Sequence, residues 1–534
     1  MPQEEWKEIV ARKRTEQAAA IAQFLESDPT SHDAQAGSEL TAASIIEISD
    51  VETLVSKLQE GTISAEDVIR AYINRAIVVH KATNCLTEVF LEDAIARSRS
   101  LDKYYKTHGT VIGPLHGVPV TLKDQFNVKG FDTTLGYVAR SFHPAGEDAA
   151  IVQILLKLGA VIFAKTNLPQ SIMWCETENP LWGLTTFPDN PNFTPGGSTG
   201  GEGALISMHG SLIGWGTDIG GSIRIPSHMN GLYGLKPTSS RLPYMGVPVS
   251  TEGQAHVPSA IGPMARSLDS LIITMKSVIE AQPWLLDPGC IPIPWQNDMF
   301  EEIQSRPLTI GIMVDDGMVK VHPPIERALR EAAAIFEKAG HEIIQWEPSL
   351  HKDCIAIMDQ FYTADGGEDI RREVQAGGEP FVPHVEALIN RGKPISVYEY
   401  WQINKQKIAA QQAYHRKWSA IKGPSGRTVD ILLTATMPHP AVPHRTCRWV
   451  GYTKIWNVLD YPAISIPLTT VSASRDRLPA DPYEPLNEAD AWNWKLYDPE
   501  RMDGFPVSVQ IVGRRFQEEK VLGAAKVLET LRSR

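Results

Sequence analysis

Residues 196–238 read GGSTGGEGALISMHGSLIGWGTDIGGSIRIPSHMNGLYGLKPT. Twelve of the 39 residues from Gly196 to Gly234 are glycine, against 40 of 534 in the whole chain. Ordering a glycine costs more backbone entropy than ordering any other residue, so this density needs a local reason. A flexible linker is excluded, because Ala204, Leu205, Ile206, Leu212, Ile213, Trp215, Ile219, Ile223 and Ile225 alternate with the glycines. The pattern predicts a backbone packed tightly on itself, with N–H groups turned toward a ligand. Ser198 and Ser222, 24 residues apart, each follow two glycines. Consecutive backbone N–H groups beside a serine hydroxyl can place a nucleophile and an oxyanion hole on one short loop.

The totals describe a globular chain: 534 residues, 43% hydrophobic, 21% charged. A net charge of −12 argues against nucleic acid or anionic membrane as a non-specific partner. The five cysteines are odd in number, scattered and without C-x-x-C, which predicts reduced thiols and a cytoplasmic setting. The acidic start lacks a signal-peptide core, and no 18-residue apolar run occurs.

Taken in order, Trp6, Ile9, Val10, Ala18, Ile21 and Phe24 mark an amphipathic helix over 4–25, and 27–42 reads as a polar linker. Helices are expected from Asp50 to before Gly61, from Ser64 to about Val79, and over 92–106. Strand 118–122, helix 148–158 and strand 160–164 then alternate. Helix 267–281 follows, then strand 308–313, helix 323–339 and strand 341–346. Residues 350–425 are mainly helical, a side lobe. Strands 429–435, 462–467 and 507–512 and helix 516–532 close the chain. The alternation predicts an α/β fold with a mostly buried sheet. The expected organisation is an N-terminal helical arm with linker (1–45) and one large catalytic domain (46–534).

Lys123 ends the apolar run 118–122. Buried beside hydroxyls, its ammonium would lose pKa and supply a neutral base near pH 7; exposed, it would be an ordinary surface lysine. Gly196–Gly200 also fits the G-x-S-x-G nucleophile elbow, with Ser198 as nucleophile and Asp430 with His439 or His444 as partners. An elbow follows a strand, but Phe187–Pro195 contains three prolines and no strand. No G-x-x-x-x-G-K-[ST], H-E-x-x-H or paired Cys/His spacing occurs, so no phosphate loop, metal or cofactor is expected. Asp218 and Arg224 flank Ser222 as a stiffening pair, and Met173, Trp174 and Cys175 are candidates for a pocket wall.

These residues resemble the amidase signature family. The resemblance lies in Gly-Gly-Ser at 196–198, Gly-Gly-Glu-Gly-Ala at 200–204, Gly-Thr-Asp-Ile-Gly-Gly-Ser-Ile-Arg at 216–224, Pro226 and Gly-Leu-Lys-Pro-Thr at 234–238. It extends to 113–124, 164–170, 259–267 and 506–514, and so covers about 50–534. Thr83–Cys85, Cys175–Asn179, Arg241–Gly246 and the N-terminal arm are most similar to fungal acetamidases. The resemblance implies a large mixed central sheet covered by helices on both faces. It implies a Ser–cis-Ser–Lys triad, with Ser222 as nucleophile, Ser198 as bridge across a cis Gly197–Ser198 bond, and Lys123 as base. Ile219, Gly220, Gly221 and Ser222 would form the oxyanion hole, and Met173, Trp174, Cys175 and Thr199 would contact substrate. Thr199 stands where many members carry a second serine.

The activity so implied is hydrolysis of small aliphatic amides to carboxylate and ammonia, with carbamates, esters and aryl amides as related substrates. An amidotransferase subunit is the competing reading, opposed by the −12 charge and the N-terminal arm. A non-catalytic scaffold is opposed by the retention of Lys123, Ser198 and Ser222. A homodimer through the arm is the expected protein partner; the amidotransferase reading would require partner chains of its own.

Overall fold

The computed structural model of the chain describes residues 5–27, 41–479 and 482–533. Thirteen strands run in chain order: β1 (Leu86–Val89), β2 (Pro119–Lys123), β3 (Val161–Thr166), β4 (Glu178–Asn179), β5 (Gly183–Leu184), β6 (Ile213–Asp218), β7 (Tyr233–Lys236), β8 (Ala260–Ala265), β9 (Thr309–Met313), β10 (Glu342–Gln345), β11 (Ile431–Ala435), β12 (Ala463–Thr470) and β13 (Pro506–Val512). Eleven form one sheet in the order β1-β3-β2-β6-β8-β7-β12-β13-β11-β9-β10, while β4 and β5 pair separately. The sheet is mixed. β3, β2 and β6 are parallel, as are β11, β9 and β10, whereas β6, β8, β7, β12 and β13 alternate in direction.

Strand β13 shows why so few positions reach water. Val507, Val509 and Ile511 enter the main core with Ala328 and Leu329 of helix Pro323–Lys338 and with Val521 and Leu522 of helix Glu518–Arg532. On the opposite face, the Ser508 N–H donates to His228 Nδ1 at 3.2 Å and Gln510 meets Arg224, both partners belonging to helix Arg224–Met229. Helices therefore cover both faces, which removes the polar–apolar alternation of a half-exposed sheet.

The expected strands and helices are present within a few residues of their anticipated ends, and the side lobe consists of helices His351–Tyr362, Glu368–Gly377, Pro383–Ile389 and Val397–Ala420. Sequence reading missed β6, β7 and β8, because Gly214, Gly216, Gly234 and Gly262 depress strand propensity. Close approach explains these residues. A Cβ on Gly262 would lie 1.9 Å from the Leu235 carbonyl oxygen, and one on Gly214 would lie 2.2 Å from a Glu202 carboxylate oxygen.

The expected N-terminal helix spans Glu5–Ser27; residue 4 and nearly all of the 27–42 linker lie outside the described residues. Its apolar side packs on its own chain. Trp6, Ile9 and Val10 meet Val138, Leu181 and Trp182, and Phe24 joins the main core. Lys13 is buried, with Nζ 2.6 Å from both Glu88 and Asp132. Lys13→Ala should cost about 3–5 kcal/mol in urea titration, because Glu88 and Asp132 would stay in low dielectric without the cation that pairs with both. An unchanged midpoint would show that the helix is dispensable to the fold.

Candidate active site

The carboxyl ends of the parallel strands β2 and β6 bring the central groups together. Lys123 is the last residue of β2, and Thr217 and Asp218 end β6. Lys123 is fully buried. Its Nζ donates to Ser198 Oγ at 2.6 Å and to Thr217 Oγ1 at 3.0 Å. Thr217 Oγ1 in turn donates to Gln125 Oε1 at 2.6 Å. Among the described residues no carboxylate forms an ion pair with Lys123. Burial pulls its pKa down to about 7, against weaker upward pulls from Asp218 and Asp124. Asp124 makes no ion pair with Lys123, and its Oδ2 accepts from the Thr134 and Leu135 N–H groups and the Thr134 hydroxyl.

Ser198 precedes helix Gly200–Ser207, and Ser222 lies in the turn between β6 and helix Arg224–Met229. The Thr199 N–H donates to the Ser222 carbonyl at 3.1 Å and ties the two loops together. The Gly197–Ser198 peptide bond is cis. A Cβ on Gly197 would lie 2.7 Å from the Glu176 nitrogen, so no side chain fits there.

The turn after β6 is stiffened from beneath. Arg224 donates to Asp218 in a two-point ion pair, Nε to Oδ2 at 3.0 Å and Nη2 to Oδ1 at 2.9 Å, with both side chains fully buried. Asn457 Nδ2 also donates to Asp218 Oδ1 at 2.9 Å, and its Oδ1 accepts from Arg224 Nη2 at 2.8 Å. Arg224 holds the Asp218 carboxyl far below the usual carboxylate range despite its burial. Gly221 has φ +132, a conformation open to glycine, and a Cβ there would sit 2.3 Å from Thr453 Oγ1.

Two expectations need correction. The Gly221 N–H is donated to Asp218 Oδ1 at 2.8 Å, so it is committed to the support and not free for an oxyanion. The N–H groups of Ile219, Gly220 and Ser222 have no acceptor among the described residues. Thr199, expected to contact substrate, lines neither cavity at Ser222. It is fully buried and packs against Gly216, where a Cβ would come within 2.8 Å of its side chain.

Ser222 lies where two cavities meet. One, of about 80 Å³, is lined by Gly197, Ile219 and Gly220 and by apolar side chains including Met173, Trp174 and Leu388. The other, of about 310 Å³, is lined by Ser198, Thr217, Tyr244, Gln254 and Ser259. Met173 lines both, while Trp174 and Cys175 line the first. Trp174 stacks on His384 with ring centroids 5.0 Å apart, and Cys175 Sγ donates to the Cys447 carbonyl at 3.3 Å. Asp430, His439 and His444 do not line either cavity; Asp430 pairs with Arg306 at the start of β9 and β11.

Sequence reasoning missed Gln125, although it lies two residues past Lys123, and Thr217, although it lies within a quoted motif. It also missed Tyr362, Leu388 and Arg391 of the side lobe and Arg448 and Lys454, which no local pattern connects to Ser222. Tyr362 reaches the site by donating its hydroxyl to the Ile219 carbonyl at 3.4 Å.

The amidase family profile matches residues 67–522. The chain belongs to the amidase signature family. Within this family it is similar to Amidase 1 of Gibberella moniliformis, 54% identical over 530 residues, covering 98% of this chain and 99% of that protein. The acetamidase of Emericella nidulans is 38% identical over 538 residues, covering 98% of each chain. Among solved structures, a fatty acid amide hydrolase superposes with a TM-score of 0.89 at 31% identity, over 98% of this chain and 96% of that one. This amidase is therefore a hydrolase of C–N bonds. Among the described residues of the amidase, no helix is long and apolar enough to cross a membrane.

The buried ion pair generates a stability prediction. Asp218→Asn leaves the Arg224 guanidinium without its counter-charge, and unfolding free energy should fall by about 3–5 kcal/mol. Wild-type stability of the variant in urea would contradict the supporting role of the pair.

Proposed function

We propose that the chain hydrolyses small aliphatic amides to carboxylate and ammonia through an acyl-enzyme on Ser222. The observation that supports this most is Lys123, out of water, without a carboxylate partner and 2.6 Å from Ser198 Oγ. A pKa near 7 makes the neutral amine available at neutral pH. Neutral Lys123 takes the Ser198 proton while Ser198 takes the proton of Ser222, whose oxygen attacks the amide carbonyl. The Ile219, Gly220 and Ser222 N–H groups point to an oxyanion hole of three donors, each worth roughly 3–4 kcal/mol where such a donor is essential. As the C–N bond breaks, the relay reverses: Ser198 protonates the departing nitrogen and recovers a proton from Lys123. Water, deprotonated by the same relay, then attacks the acyl ester and releases carboxylate and Ser222.

The short-amide preference is supported by similarity to the Emericella nidulans acetamidase. Carbamates and esters share the acyl chemistry and belong to the same reading. Every group this reading uses lies in one chain, so it invokes no ammonia-accepting partner.

Ammonia release should be measured over formamide, acetamide, hexanamide, benzamide and ethyl carbamate. Wild type should release ammonia from the short amides, and Ser222→Ala should reduce kcat by about 10⁴-fold or more. Activity surviving in Ser222→Ala would return Ser198 as nucleophile. Turnover restricted to benzamide would contradict the aliphatic preference.

A further inference from the structure

We infer that the cavity of Trp174 accepts the acyl part of the substrate and that its mouth selects acyl chains ending in an anionic group, such as ω-carboxylated primary amides. The inference rests on the serine amidohydrolase reading above and names the class of acyl group that site prefers.

The two cavities at Ser222 differ in what they offer. Ser198, which returns the proton to the leaving nitrogen, lines only the larger one. Gly220, whose N–H would face the carbonyl oxygen, lines only the smaller, with Trp174, Leu388 and Val450, while Ile219 and Met173 line both. An amide placed with its nitrogen toward Ser198 therefore directs its acyl chain into the smaller cavity. The lining of that cavity runs from Ser222 through Trp174 and Leu388 to Arg391 and Arg448.

Its lining carries three cations, Arg391, Arg448 and Lys454, and one carboxylate, Asp359. Lys454 and Asp359 neutralise each other at 2.5 Å. Neither guanidinium has an ion pair or a hydrogen-bonded acceptor from its side chain among the described residues. Each is instead set against an aromatic face, Arg391 with its Cζ 5.7 Å from the Trp174 centroid and Arg448 with its Cζ 3.4 Å from that of Trp492. Aromatic contact holds a guanidinium through its face and leaves its N–H edge open, the geometry that receives a carboxylate. The chain carries a net charge of −12, so two partnerless arginines at one cavity are a local departure from its composition. Both are exposed at the rim, while the walls toward Ser222 are apolar. This order suits an acyl group with a methylene stem and a charged end. An anion lodged in the apolar part alone would lose its hydration without compensation.

The test compares chains of equal length, hexanamide against adipamate and butyramide against succinamate, as kcat/KM in low salt. Adipamate should exceed hexanamide by about tenfold, the contribution of a charge-assisted hydrogen bond. The ratio should fall toward one at roughly 0.5 M NaCl, as screening weakens an exposed pair. Arg391→Gln with Arg448→Gln should lower the ratio by about tenfold or more. A wild-type ratio below one, or a ratio unmoved by both salt and the double substitution, would overturn the inference. The wild-type salt series decides the matter even if the double variant does not fold. Ser222-dependent hydrolysis of hexanamide with no anion preference would reject this inference alone. Absence of Ser222-dependent turnover on every amide would reject the hydrolase reading, and this inference with it.

Discussion

A lysine ammonium taken out of water without a counter-ion is the constraint around which this site is arranged. Lys123 has two hydroxyls for company, Ser198 and Thr217, and no carboxylate within ion-pair distance. Hydroxyls can accept from an ammonium or donate to an amine, so they fit both protonation states. A contacting carboxylate would hold the proton on. The parallel pairing of β2 with β6 sets this geometry, because it brings the ends of the two strands side by side. Thr217 is pinned from its other side by Gln125, so the second hydroxyl is fixed as well.

The nearest buried negative charge, Asp218, would spoil that arrangement if it were free. It is instead consumed by Arg224 and by Asn457 and the Gly221 N–H. The carboxylate thus acts as a structural hub that shapes the turn, and its pull on the Lys123 proton is weaker than the effect of burial. The turn it shapes presents three unused N–H groups beside Ser222. Electrostatic support and the proposed catalysis are divided between neighbouring residues: Asp218 orders the backbone, and the N–H groups it leaves unbound are the ones the proposed oxyanion hole uses.

Much of this was legible in the chain. Hydrophobic periodicity and capping residues located most of the long helices, and Ser64 starts its helix with the reciprocal Asp67 cap. The glycine density announced close backbone packing, and the paired Gly-Gly-Ser segments marked the two serines. The glycine-bearing strands were not legible, because propensity rejects Gly214, Gly216, Gly234 and Gly262, while tertiary crowding requires them. Thr199 was misassigned because a hydroxyl next to Ser198 looks available in sequence, yet its side chain is directed under the loop against Gly216. The Gly221 N–H was misassigned because only the fold shows Asp218 curling back to take it. Cavity walls supplied by Tyr362, Leu388, Arg391, Arg448 and Lys454 come from segments more than a hundred residues beyond Ser222, and no pattern in one sequence pairs segments that far apart.

The central claim is that Lys123 works as a neutral amine, and the pH dependence of Ser222 acylation tests it most directly. With an uncharged amide or ester under single-turnover conditions, the acylation rate should fall about tenfold per pH unit well below pH 7 and level off above it, following deprotonation of a group whose pKa is about 7. In Lys123→Ala that limb should disappear along with most of the rate. A limb retained in Lys123→Ala, or a wild-type limb near the ordinary lysine value above pH 10, would show that another group serves as the base and that Lys123 stays charged.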